Sequence, residues 1–465
     1  MAPERSHTTS GRGRAGIRAA AALLWLVAWQ AVAGLVGSDL LLPGPVETVA
    51  ALARLCVTAE FWRVVACSTL AIVGGFLVAF TLGCALGALA AQRPAVDVLL
   101  EPAVSALKTV PVACVVVVLL LWVGTGGVTW ACVFLVAFPA FYASMRGAVR
   151  SLDRGRLDAL RLMGVGSVRR ALAAGWPGVA PGLAVTAASA VGMSWKAGVA
   201  AELIGLVDGT LGERVYQAKL LLETSDLFAW TVVVVLLAWL AERTFRALLA
   251  WSGRATGRLA VRLAPRERAV APGSVGLARA SAGHGGDVTW QGVDLTLAPG
   301  ERAVLSAASG AGKTTLVDAL CGRVPLLAGS RDVPELVSVV WQAPSLVEGL
   351  TAEENLRLVA PRALWPQADA LVRSLVGEDA AGRPAATLSG GQARRVEVAR
   401  ALVAPTSAVL LDEPFAGLDE ESHAAAASAV LGHLAGRPLL VASHDQEDVS
   451  LLDASVVRLP GSASD

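Results

Sequence analysis

A lysine and two threonines close a run of small residues at Ser309–Thr315 (SGAGKTT), directly after the apolar stretch Ala303–Ser306. That order reads as a buried strand, a glycine-containing loop and a helix opening over Thr314–Leu320. Backbone N–H groups of Ser309, Gly310, Ala311, Gly312 and Thr315 would face inward and hold phosphate, and the helix N-terminus would add its dipole. Lys313 would pair with the β- and γ-phosphates of ATP, and the Thr314 hydroxyl would hold Mg²⁺. Ala307 stands where such a loop usually opens with glycine. Alanine tolerates fewer backbone angles, so a working but perturbed loop is expected. Further along, the apolar run Val409–Leu411 ends in Asp412–Glu413. Two acids leaving a buried strand suit two tasks: Asp412 would orient Mg²⁺ through water, and Glu413 would polarise an attacking water.

The elements that must position these residues differ between the two halves of the chain. Of its 465 residues 55% are hydrophobic and only 17% charged. Soluble domains carry roughly 25% charged residues, and here the deficit lies before about residue 250. A net charge of +1 leaves no uncompensated basic stripe, so no nucleic-acid partner is expected. The six cysteines (Cys56, Cys67, Cys84, Cys114, Cys132, Cys321) form no CxxC pair and no metal cluster. A disulfide between Cys56 and Cys67 is the less favoured reading.

Long uncharged runs predict membrane helices. Val64–Ala91 exceeds the ~20 residues that a bilayer requires. Gly124, Gly126 and Gly127 divide the uncharged run Thr109–Met145 into two spans. Six helices are expected near 17–37, 64–91, 98–122, 128–147, 179–203 and 227–250. The first follows a basic segment and resembles a signal peptide, but is expected to stay as an uncleaved helix. Arg146–Leu172 carries seven arginines against two aspartates, and Ala241–Arg268 seven against two glutamates. Val207–Asp226 carries four acids and two bases. Positive loops stay in the cytoplasm, so both termini are expected there. Charges inside spans usually face a cavity, which makes Lys108, Lys196 and Glu202 candidate pathway residues; snorkelling to the interface is the alternative. The expected division is a transmembrane domain over 1–250, a linker over 251–274 and an α/β domain over 275–465.

Two further motifs complete the reading. Leu388–Gln392 reads LSGGQ and Ala442–Asp445 reads ASHD. With SGAGKTT and VLLDEP in this order, the C-terminal region resembles an ATP-binding cassette (ABC) ATPase. The resemblance implies that Ser389, Gly390, Gly391 and Gln392 cover the γ-phosphate bound by a partner chain, so that the ATPase works as a head-to-tail dimer. It places Gln342 in a loop that touches Mg²⁺ and the membrane domain. It places Asp419 at the dimer interface and His444 on the γ-phosphate. The aromatic that stacks on adenine is not evident, and His284 is nearest by position. The first half resembles the permease of the nitrate, sulfonate and taurine importer class. The segments that carry this are LLPGPVETVAAL, SALKTVPVACVVVVLLLWVGTG, SWKAGVAAELIG and GTLGERVYQAK. Asp158-Ala159-Leu160, then Gly164, is similar to the loop by which such permeases dock on the ATPase beside Gln342.

The expected fold is therefore an all-α six-helix transmembrane domain followed by an α/β P-loop NTPase (ABC) domain. The expected function is ATP-driven import of a small polar solute, such as a sulfonate or a nitrate-like anion. Expected partners are a second copy or a related half-transporter, an extracytoplasmic solute-binding protein, and membrane lipid. The expected location is a bacterial plasma membrane. A half-transporter exporter and a non-transporting ABC regulator are the competing readings.

Overall fold

The structure, a computed structural model, describes residues 11–284, 287–307 and 310–459. The chain divides into two compact units. One comprises Met1–Arg150 and Gly182–Leu249, the other Ser151–Pro181 and Ala250–Asp465.

The first unit is helical: α1 (Gly11–Val36), α2 (Pro45–Cys56), α3 (Ala59–Gln92), α4 (Pro94–Thr109), α5 (Val112–Arg150), then the helical segments between Gly182 and Leu249. Thr58 starts α3 by accepting from the Phe61 N–H. Pro94 stops it, since the residue before a proline avoids helical angles. Helices α3 and α5 approach closely along a seam of small residues. A Cβ at Gly75 would lie 2.4 Å from the Trp130 carbonyl oxygen, and one at Gly87 2.5 Å from that of Tyr142. Small residues let membrane helices meet in this way. Phe76, Phe80, Phe141 and Phe245 pack edge to face beside that seam.

The expected helix over 98–122 is not one element. It is cut at Val110–Pro111, because proline supplies no backbone N–H, into α4 and the first part of α5. Inside α5, Gly124 leaves helical geometry at φ 65° and ψ −174°. The chain folds back there. A continuous helix would hold Val115 and Val136 about 31 Å apart, yet both line one small cavity with Val112, Cys132 and Leu135. The segment before Gly124 is thus too short to cross a bilayer by itself. Among the described residues five helices are long and apolar enough to cross, α1, α3, α5 and two that follow, so the expected count of six is not reproduced helix for helix.

The second unit opens with α6 (Arg154–Leu162) and α7 (Ser167–Arg170). A π-turn at Ala171–Gly175 leads into α8 (Trp176–Gly205), whose first turn absorbs Pro177 and whose interior holds Pro181. From Gly182 onward α8 belongs to the first unit again, as do α9 (Leu211–Leu220) and α10 (Thr224–Arg262) as far as Leu249. Half of the expected linker, residues 251–262, is therefore helix: its Ala, Leu and Arg content favours helix until Pro265.

Two sheets follow. An antiparallel one has the order β2-β1-β4, from β1 (Val275–His284), β2 (Asp287–Leu297) and β4 (Leu326–Asp332). A parallel one has the order β5-β6-β7-β3-β8, from β3 (Arg302–Ser306), β5 (Val337–Val340), β6 (Ala408–Asp412), β7 (Leu439–Ser443) and β8 (Ser455–Arg458). Strands β5, β6 and β7 are buried along their whole length, as parallel strands under helices are. The helices are α11 (Lys313–Leu320), α12 (Ala352–Val359), α13 (Trp365–Val376), α14 (Glu378–Ala381), α15 (Gly390–Val403), α16 (Glu420–His433) and α17 (Glu447–Leu451).

Candidate functional site

Register in the parallel sheet brings the chemistry together. Ser306 of β3 lies opposite Ser443 of β7, and Asp412 of β6 opposite Ala442. The loops leaving these strands, with Ala307, Glu413 and His444, therefore exit at one edge. Ligands bind at the carboxyl ends of such strands.

Gly310 and Gly312 take positive φ, 85° and 92°, as a loop that turns its N–H groups inward requires. A Cβ on Gly312 would also lie 2.5 Å from Thr289 Cγ2, so the loop is backed tightly by β2. Helix α11 begins at Lys313, with no side-chain cap on its first turn. Its N–H groups are left for an anion. Lys313 is buried, and its Nζ donates to the Ala307 carbonyl at 2.7 Å. The alanine that replaces glycine thus serves the loop through its main chain. Thr315 is buried and Thr314 exposed. Ser309 lies outside the described residues, as does the side chain of His284.

Glu413 sits between Lys313 and His444. Its Oε1 is 3.9 Å from Lys313 Nζ, and its Oε2 is 2.8 Å from His444 Nδ1. Its φ of 48° is a left-handed conformation, held by its N–H donating to the Ala442 carbonyl at 2.8 Å. Asp412 is 1% exposed, and neither carboxylate oxygen accepts a hydrogen bond of normal geometry. Burial pushes its pKa up to about 6; the nearby Thr314 hydroxyl opposes the rise and the Glu413 charge adds to it. A buried carboxylate without a partner, next to a threonine hydroxyl, is an oxygen donor set that fits a hard divalent cation such as Mg²⁺.

The other expected residues stand apart from this edge. Ser389 caps α15: its hydroxyl accepts from the Gln392 N–H at 3.3 Å, and Gln392 Oε1 accepts from the Ser389 N–H at 3.1 Å. Gly390 and Gly391 open the helix, so their N–H groups point outward at its positive end. Among the described residues no hydrogen bond joins Ser389–Gln392 to the Lys313 loop. Asp419 caps α16 through the Ser422 N–H, a bond that holds its carboxyl below the usual range. Gln342 is exposed, and only its carbonyl is bonded, to Arg394 Nη2 at 2.7 Å.

Sequence reading missed that Arg394 and the groups around it. Arg394 Nη1 donates to the Trp341 carbonyl at 2.6 Å and contacts Glu397 at 3.2 Å. Glu397 accepts from the Ser345 hydroxyl at 2.9 Å and from its N–H, and Arg400 donates to the Ser345 carbonyl at 2.9 Å. The available signal was charge at every third position, Arg394, Glu397 and Arg400, on an otherwise apolar helix face. The expected docking loop is present too: Trp341 Nε1 donates to the Gly155 carbonyl at 3.0 Å, and Arg156 pairs with Glu348 at 2.7 Å. Of the candidate pathway residues, Lys108 and Lys196 are exposed. Glu202 is fully buried and accepts from the Ser68 hydroxyl at 2.9 Å and the Gly212 N–H at 3.1 Å. It satisfies the first turn of α9.

A phosphate-binding loop, an acid pair and a histidine at the edge of one parallel sheet, on a chain that also carries a run of long apolar helices, define a membrane-bound P-loop ATPase. The family model described as ABC transporter matches residues 290–416. That described as binding-protein-dependent transport system inner membrane component matches 79–256. An aliphatic sulfonates import ATP-binding protein of Frankia alni is 40% identical, over 40% of this chain and 76% of its own length. One of Pseudomonas fluorescens is 34% identical, over 37% and 68%. A cytochrome c biogenesis ATP-binding export protein of Paracoccus denitrificans is 35% identical, over 38% and 84%. A bacterial ABC transporter cassette solved as a dimer is 21% identical with a TM-score of 0.36, over 40% of this chain and 94% of its own. The chain belongs to the ABC transporter family. It joins a multi-pass permease of importer type to its ATP-hydrolysing cassette on one polypeptide.

Proposed function

We propose that this chain imports a small organic anion of the sulfonate or nitrate-like kind across a bacterial plasma membrane, as one half of a two-chain transport unit. The observation that carries the ATPase part of the reading is the Lys313–Glu413–His444 alignment at the sheet edge. Lys313 and the N–H groups of Ser309–Thr315 hold the β- and γ-phosphates. Glu413 accepts the proton of the attacking water, and His444 fixes the Glu413 carboxylate and reaches the γ-phosphate. Thr314 and Asp412, with Gln342, would hold Mg²⁺, which would supply charge neutralisation for the phosphates. Ser389, Gly390, Gly391 and Gln392 close over nucleotide on the partner chain, a second copy or a related half, with Asp419 at the seam. Their outward-facing helix start, apart from this chain's own loop, supports that role.

In this reading residues 1–250 are the permease, 251–274 join it to the cassette, and 275–465 are the cassette. The permease crosses six times, with α4 and the start of α5 together forming the third crossing up to the turn at Gly124. Both termini are then cytoplasmic, in keeping with the arginine-rich loops. An extracytoplasmic binding protein delivers the solute. The names of the relatives from Frankia alni and Pseudomonas fluorescens support a sulfonate-like anion. The permease match supports import over export. The test is uptake of radiolabelled ethanesulfonate into proteoliposomes containing the chain and a binding protein for that anion, with ATP on the cassette side. Accumulation that stops in Glu413→Gln supports the reading. ATP hydrolysis without accumulation of any sulfonate, nitrate or taurine refutes the substrate class.

A further inference from the structure

We infer that Arg394 and Arg323 act as positioning residues that bring two nucleotide sites to one point, Trp341, where the docking helix α6 registers both. The inference rests on the reading of Lys313 and Ser389 as halves of two shared nucleotide sites. Trp341 follows β5, is 4% exposed, and donates its indole N–H to the Gly155 carbonyl at 3.0 Å. Two independent connections end on it.

The first comes from the phosphate loop. Helix α11 starts at Lys313, and Asp318 near its end pairs with Arg323 at 2.9 Å. The Arg323 guanidinium lies 4.3 Å over the Trp341 ring and 3.7 Å from Asp158 of α6. The second comes from the start of α15. Arg394, one turn behind Ser389, grips the Trp341 carbonyl at 2.6 Å and the Gln342 carbonyl at 2.7 Å. Glu397 holds Arg394 in place from the next turn at 3.2 Å. Both helices are short and stiff, so a shift at either N-terminus reaches Trp341 with little loss. A buried ion pair such as Arg394–Glu397 adds little stability over apolar packing. Its aim at two main-chain carbonyls is better accounted for as positioning.

Such an arrangement behaves as a joint requirement. Nucleotide on this chain's Lys313 acts through Arg323. Nucleotide on the partner, met by this chain's Ser389, acts through Arg394. Helix α6 is held in its closed position only when both inputs agree, so the permease would not switch on a half-filled site.

The test uses the full chain in lipid nanodiscs, with hydrogen exchange of residues 153–165 followed with and without Mg-ATP. Wild type should gain protection on nucleotide binding. Arg323→Gln and Arg394→Lys should each bind Mg-ATP yet lose that gain about five-fold or more. The double variant should be no worse than the poorer single. Trp341→Phe, which keeps the ring and removes the N–H to Gly155, should lower the gain as well. Either single variant keeping the full gain, or losses that multiply in the double variant, would overturn the inference. If Arg394→Lys does not fold, Trp341→Phe alone and combined with Arg323→Gln decides by the same rule. A wild type that binds Mg-ATP with no change at 153–165 would sink the transport reading itself. A wild type that responds but moves no anion would leave the positioning roles standing.

Discussion

Glu413 holds a backbone angle that a non-glycine residue adopts at a cost of order 1–3 kcal/mol. The strain aims its carboxylate between Lys313 and His444, where a water beside the γ-phosphate would stand. Glu413→Gln keeps the shape and removes the proton acceptor. Its ATPase turnover in lipid should fall by about 10²–10⁴ with Mg-ATP binding retained; a loss under ten-fold would move the base elsewhere. Asp412 carries a different cost. Its pKa rises from an ordinary value near 3.8 to about 6, chiefly by burial. The folded state then holds its proton more firmly than the unfolded chain, so this group's contribution to stability is lost as pH rises from about 4 through about 6. Asp412→Asn should therefore stabilise the nucleotide-free protein at pH 7 by up to about 3 kcal/mol, a gain that fades below about pH 4, seen as a raised thermal midpoint. The same variant should lose Mg²⁺-dependent nucleotide binding. These two acids were legible because each closes an apolar run, and strand register does the rest. Arg394 and Trp341 were not, because their roles run through main-chain carbonyls that no side-chain pattern reports.

At the scale of elements, motifs gave better guidance than run lengths. The strand, loop and helix around Lys313 form where the apolar run and the small residues place them. The expected span 98–122 does not form one helix, because Pro111 removes a backbone donor in its middle. The glycines after it do mark a turn, and Gly124 alone takes the left-handed angle. Residues 251–262 of the expected linker are helical because arginine, the residue that gave it a polar texture, is also a good helix former. One contact on which the cassette depends had no sequence signal. Arg437, in the connection from α16 to β7, is buried and donates to the carbonyls of Leu402, Ala404, His433 and Leu434. No carboxylate pairs with it among the described residues, and burial draws its pKa down to about 10. It ties α16 to the end of α15. Arg437→Ala removes the guanidinium donors and leaves the Leu402 and His433 carbonyls without this partner, which should cost about 2–3 kcal/mol. A lowered unfolding midpoint with ATP affinity intact in the surviving fold is the expected result. An unchanged midpoint would mean that water replaces the guanidinium.

At the scale of the molecule, no hydrogen bond among the described residues joins the outward-facing start of α15 to the Lys313 loop, although both carry phosphate-binding features. In the proposed pairing with a second chain, each loop would meet the other chain's Ser389. That proposed head-to-tail pairing would set how force reaches the permease, through α6 and the Trp341 contacts. Fusion of the two functions on one polypeptide was legible, since the apolar half and the motif-bearing half differ in composition. The anion was not, because the described pathway candidates resolve into exposed lysines and one carboxylate occupied with α9. The most direct measurement is an image of the Glu413→Gln protein trapped with Mg-ATP in lipid. The account predicts two cassettes closed on two nucleotides, each held by Lys313 of one chain and touched by Ser389 of the other. Cassettes that remain apart, or nucleotide contacted by one chain only, would contradict it.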